Sequence, residues 1–160
     1  MSTHVGQAPG NFVNLVAFPR VWADRSKGVR FFRIPRQTPR SKIFVVPHST
    51  SMVVTDVHCF AEGGSPNTFQ RFEIMVTNPQ NVNDLNFPQS FNTDSFAFET
   101  HVTLDGQGNG KSQISMTAGF EVPSGMSLFG WVTNHTSATP SQQTHTAGSY
   151  LVRIYGYLVS

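Results

Sequence analysis

The sequence predicts an all-β protein, a single antiparallel β-sandwich with jelly-roll topology as the preferred connectivity. Three observations lead there. Polar and apolar residues alternate at 51–61, 68–77, 95–104, 113–122 and 149–159, the period of a half-buried strand. No segment carries the 3.6-residue period of a helix of three turns. A Val-Pro corner at Val46-Pro47, inside the apolar stretch 42–57, is echoed by Val122-Pro123 inside 119–132. Two corners of one chemistry half a domain apart suit successive Greek-key turns. An immunoglobulin-like sandwich is the alternative, although the Cys-Trp-Cys pattern of its true members is absent.

Taken in order, residues 1–10 are small and polar and read as a flexible arm, leaving 11–160 as one β-sandwich domain. Residues 11–18 form a first strand, stopped by Pro19. The segment 20–42 holds eight of the eleven basic residues against a single acid, Asp24, and within it only 29–34 reads as a strand. After Lys42 three basic side chains face eight acidic ones, so the net charge of +2 conceals an asymmetric molecule. The run 42–46 is a short strand before the Pro47 corner, and strands at 51–61 and 68–77 follow, separated by Gly63-Gly64-Ser65-Pro66-Asn67.

In 95–104 the core face is Phe96, Phe98, Thr100, Val102 and Leu104; in 113–122 it is Ile114, Met116, Ala118, Phe120 and Val122. With the glycine-rich 105–110 between them, these two predict a long hairpin. A strand at 126–133 precedes the Ser/Thr/Gln-rich 134–148. The closing strand 149–159 has no polar face. Tyr150, Val152, Ile154, Gly156 and Leu158 alternate with Leu151, Arg153, Tyr155, Tyr157 and Val159, so the strand is central, or its outer face meets another subunit.

Composition narrows the function classes. Charged residues are only 12%, about half the usual share, and amides and hydroxyls replace them. Such a surface belongs to virions, secreted proteins and tight oligomers more than to a free cytosolic enzyme. The single cysteine, Cys59, forms no intrachain disulfide and alternates with Val57 as a buried, inert thiol. The first twenty residues lack a secretion signal and no apolar run reaches 18 residues, so no membrane insertion is expected. The expected location is a virion or an extracellular surface, with the cytoplasm as the alternative.

Reactive groups give no catalytic pattern. The six histidines include no His-x-His pair and no His-Glu-x-x-His, and Asp56, Glu73 and Glu99 each read as an isolated acid on the outward side of a strand. His58 and His101 come near Glu73 or Glu99 only if a sheet brings them together. Asp105, Gln107 and Asn109 occupy the first, third and fifth places of a calcium-type loop, but Met116 stands where the twelfth-place glutamate belongs. Their ordinary reading is a turn whose glycines adopt left-handed conformations. No cofactor is called for.

Three contact surfaces remain. Arg30, Arg33, Arg36 and Arg40, interleaved with Phe31 and Phe32, fit nucleic acid or an acidic partner surface; the plainer reading is a strand with solvated arginines. Asn81, Asn83, Asp84 and Asn86 in the unpatterned 78–94, together with Trp131, Asn134 and His135, are the carbohydrate-binding candidates, against a plain polar loop. Leu151, Tyr155 and Tyr157 are the candidate oligomer interface. The expected function is therefore a non-enzymatic structural or attachment component of a virion-like assembly, a homo-oligomer. A soluble lectin is the alternative, and an enzyme of unknown class the third.

Overall fold

The computed structural model describes residues 11–17, 21–24, 29–34, 44–64, 66–78, 95–135 and 149–160. Among them run nine strands: β1 (Phe12–Ala17), β2 (Val21–Asp24), β3 (Val29–Ile34), β4 (Ser51–Glu62), β5 (Phe69–Thr77), β6 (Ser95–Thr103), β7 (Gly110–Val122), β8 (Ser127–His135) and β9 (Ser149–Val159). They form two antiparallel sheets, a four-stranded one ordered β1-β9-β4-β7 and a five-stranded one ordered β2-β3-β8-β5-β6. The fold is all-β and sandwich-like. A common core takes Leu15 and Ala17 from β1, Met52, Val54, Val57 and Cys59 from β4, Val152 and Ile154 from β9, and Phe72, Ile74, Val102, Leu128 and Val132 from the opposite sheet.

The alternation that marks β4 changes phase in mid-strand. Met52 and Val54 are buried, and then Val57, Cys59 and Ala61, so the core positions step by three once. Thr55 absorbs the step as a bulge against both neighbours, since Val54 pairs with Gly156 and Asp56 with Tyr155 on β9. On the β7 side the irregularity is larger, with Phe120 opposite Val54 and Ser115 opposite Asp56. Two glycines make room for it. Gly119 has φ +68, and a Cβ there would strike Val54 O, while a Cβ on Gly156 would strike Val53 O.

The hairpin expected between 95–104 and 113–122 is not formed. β6 pairs with β5 and β7 with β4, at the edges of opposite sheets. Alternation states that one face of a strand is buried; it does not name the neighbour. The intervening turn is tied instead to the β4–β5 connection, through Gly64 N to Gly108 O (2.9 Å), Asn67 N to Asp105 O (3.1 Å) and Leu104 N to Thr68 O (2.8 Å). Side chains bridge the two edges where Thr100 Oγ1 lies 2.9 Å from Ser112 Oγ.

Two further expectations are corrected. β2 is a strand that the basic stretch concealed, and 44–46, the described part of the run before Pro47, is not a strand. The echoed corners meet. Val46 N donates to Met126 O and Gly125 N to Val46 O, both at 2.9 Å, while Ser124 Oγ reaches Pro47 O and Ser127 Oγ reaches Phe44 O. Pro47 has no N–H to extend the ladder, so this contact stays a two-bond clasp.

Candidate assembly surface

β9 lies between β1 and β4, and its register assembles the outer face of the four-stranded sheet. Tyr157 stands between Phe12 and Val53, Tyr155 between Asn14 and Asp56, Arg153 between Val16 and His58, and Leu151 opposite Phe60. The rings touch across three strands. Tyr155 lies 6.2 Å from Phe12 and 5.0 Å from His58, which meets Phe60 edge-on at 6.5 Å. At the margins Phe12 is 63% and Val159 40% exposed, while Leu151, Tyr155 and Tyr157 are half-buried.

Within this face the Thr55 bulge builds one polar cluster. Asp56 accepts from Ser115 Oγ through Oδ1 and from Thr55 Oγ1 through Oδ2, the latter at 2.7 Å. The Ser115 hydroxyl, then that of Thr55, with a smaller contribution from the nearby His58, hold the Asp56 carboxyl below its ordinary value. Asp56 is thus not the isolated acid that strand alternation alone implied. Elsewhere on the same face Arg153, Glu62, Lys111 and Glu121 are exposed, and among the described residues none of the four makes an ion pair.

The outer face of the five-stranded sheet is built differently. Arg71 Nη2 donates to Glu73 Oε1 and contacts Glu99 Oε2 at 2.9 Å, and His101 Nε2 lies 3.4 Å from Glu99 Oε1. Phe69 stands perpendicular to His101 at 5.4 Å. Glu73 and Glu99 are direct cross-strand partners, again not isolated, and both turn to one guanidinium. A general acid and a general base need different surroundings, which a shared cation does not supply. His58 lies in the other sheet. Among the described residues no group of three His, Cys, Asp or Glu is placed to hold a metal.

The loop considered for calcium spends its oxygens locally. Asp105 Oδ1 accepts from Gln107 N at 2.8 Å and Asn109 N at 2.9 Å, and Asn109 Oδ1 accepts from Gly63 N at 3.1 Å. The Asn109 and Gln107 amides lower the Asp105 carboxyl below its ordinary value. A shallow open depression beside it is lined by Phe60, Glu62, Asp105, Asn109 and Lys111 among others.

Arg36, Arg40, Asn81, Asn83, Asp84 and Asn86 lie outside the described residues. Arg30 and Arg33 are in β3, paired with Val132 and Phe129, so they occupy positions of opposite parity rather than one row. Trp131 pairs with Phe31 and Glu73, Asn134 with Gln70 and His135 with Phe69. Sequence reasoning missed Phe12, Val53, His58 and Phe60 as members of the β9 face. The alternation of Phe12, Asn14 and Val16 was available as a signal, whereas the phase change at Thr55 hid the β4 members.

No protein-family model matches the chain, and no curated protein does. Among solved structures it is similar to the virus-like particle of the extra small virus of the giant freshwater prawn Macrobrachium rosenbergii, seen by cryo-electron microscopy. The identity is 8%, the match covers 100% of this chain and 86% of that one, and the TM-score is 0.39. A likeness of that degree assigns no function. Among the described residues no helix is long and apolar enough to cross a membrane.

Proposed function

We propose that this protein is a non-enzymatic structural or attachment component of a virion-like assembly, which self-associates through the outer face of the four-stranded sheet. The observation that carries the reading is the ring network on β9 and its neighbours, an apolar-aromatic face with ionisable groups of both signs around it. A two-fold contact needs both signs on one patch, because each group meets its complement on the other copy. Strand rise and spacing give this face roughly 700 Å², close to the ~800 Å² per partner of a standard interface.

The order of the strands supports a jelly-roll reading. The pattern β1-β9-β4-β7 against β3-β8-β5-β6 interleaves the first and second halves of the chain in both sheets, as two nested Greek keys do, with β2 added at one edge. Jelly rolls serve viral capsids, lectins and cupins alike, so the fold leaves the choice to the surface. The basic segment 20–42 then meets nucleic acid or the acidic remainder of a neighbouring copy, and the protein acts in a virion or at an extracellular surface.

Light scattering at low and high salt tests this. The wild type is expected to be oligomeric at micromolar concentration in both, with any larger species or nucleic-acid association lost at high salt. The double variant Tyr155→Ser, Tyr157→Ser is expected to lose the small oligomer. A wild type that stays monomeric in both salts overturns the assembly reading and puts carbohydrate binding first.

A further inference from the structure

We propose that the free edge of β7 over 110–115 pairs with the same edge of a second copy. The two strands run antiparallel about a two-fold axis at Gln113, joining two four-stranded sheets into one of eight. This rests on the assembly reading but uses another part of the chain, the rim of the sheet rather than its face.

β7 ends its sheet. It pairs with β4 over 110–115 and 120–122 on one side, and among the described residues no strand takes the other. Alternate N–H and C=O groups along that side point away from the ladder, which makes such an edge a template for another chain. Native edges are usually blunted by charge, proline or a bulge. Here 110–115 pair regularly with β4, contain no proline, and carry Lys111 as their one charge. The bulge comes later, at 116–119, where Gly119 turns left-handed, so the regular stretch is about 20 Å long. The other rims differ. β2 is four residues with a register shift, and β6 carries Glu99 and His101 outward. β1 is regular but uncharged, and nothing on it selects a register.

Self-pairing selects one on β7. With the axis at Gln113, Lys111 of each copy falls opposite Ser115 of the other, both exposed on the outer face. Ser115 is the hydroxyl that Asp56 accepts from, so the carboxylate already leans toward this rim. The backbone of a second copy's Lys111 would lie about two strand spacings, ~10 Å, from that of Asp56, a span the two side chains close between them. The only cation of the edge thereby comes beside a carboxylate. On the inner side, half-buried Ile114 meets Ser112 of the second copy and gains cover. An axis perpendicular to the sheet keeps outer face beside outer face, so the ring networks of the two copies become parts of one surface.

Single-cysteine cross-linking in the full chain tests the register. The native Cys59 is a silent background, fully buried with its thiol pushed up to about 12. Under mild oxidation Gln113→Cys is expected to give mostly disulfide dimer. Lys111→Cys and Ser115→Cys alone are expected to give at least fivefold less, and the two combined to restore it. Circular dichroism checks that each variant keeps its β spectrum. The same Gln113→Cys change is then made with Tyr155→Ser and Tyr157→Ser, and persistence of the cross-link shows the edge contact to be independent of the face. If Gln113→Cys links no better than Lys111→Cys while the wild type is oligomeric, the edge pairing is wrong and the assembly reading stands.

Discussion

The two outer faces of the molecule have the same architecture, alternate residues of antiparallel strands turned away from one core, yet they differ in what completes them. Among the described residues of the five-stranded sheet Arg71, Glu73, Glu99 and His101 pair with one another, and Arg71 Nε alone is left buried without a hydrogen bond. On the four-stranded sheet the rings of Phe12, Tyr155 and Phe60 are apolar surface, set against one another and against His58 rather than closed by ion pairs. A face closed by internal ion pairs needs no partner, whereas an apolar one gains free energy by finding one.

The sharpest test of that contrast turns on adjacent residues of one strand. Ile154 is 0% exposed on the inner side of β9 and Tyr155 lies on the outer side. Ile154→Ala is expected to cost about 2–5 kcal/mol of unfolding free energy, with Phe98→Ala lower in that range because Phe98 is only partly buried. Denaturant titration reads both. Tyr155→Ser with Tyr157→Ser is expected to weaken self-association at least tenfold, about 1.4 kcal/mol, while the unfolding midpoint of the separated chain moves less than for Ile154→Ala. Equal losses of stability on the two sides would make the outer rings part of the core and remove the case for a partner.

On the opposite face Arg71→Met leaves Glu73 and Glu99 directly across from each other. A destabilisation of about 1 kcal/mol is expected, part of it recovered by adding Glu99→Gln. Oligomer size should not change, and if it does, the ionic face is also an interface. The smallest effect concerns Asp56. Its carboxyl is lowered in the folded protein, so its stabilising contribution is present above the ordinary carboxyl range. It is lost as pH falls through the lowered folded value. Asp56→Asn should therefore be less stable than wild type at pH 6, and the two should converge as pH drops below about 3.8, the ordinary value for this group. A difference that stays constant across that interval would show that the hydrogen bonds, not the charge, carry the effect.

What was readable in the sequence follows from how far each property reaches along the chain. β9 was legible as central because both of its faces are apolar, a local fact, and the alternation of β6 gave its inner face correctly through Thr100 and Val102. Pairing was not legible. β6 and β7 carry matched alternation on either side of a glycine-rich turn, and only the bonds from 105–108 to 64–67 show why no hairpin forms. The Thr55 bulge exists because β7 and β9 impose two registers on β4 at once, and no window on β4 contains that conflict. The meeting of Arg71, Glu73 and Glu99 likewise depends on a cross-strand register between segments some 25 residues apart.

The position of β9 also sets when the protein is able to fold. The last strand in the sequence fills the gap between β1 and β4, pairing Tyr157 with Phe12 and with Val53. Until it arrives, neither of those strands has that neighbour, and β1 has no partner in its own sheet. A ribosome making this chain therefore cannot release a finished four-stranded sheet piece by piece. That sheet closes only after the residues of β9 have left the exit tunnel, through contacts of high sequence separation that fold slowly, in milliseconds to seconds. The ring network that would recruit another copy is completed in the same step.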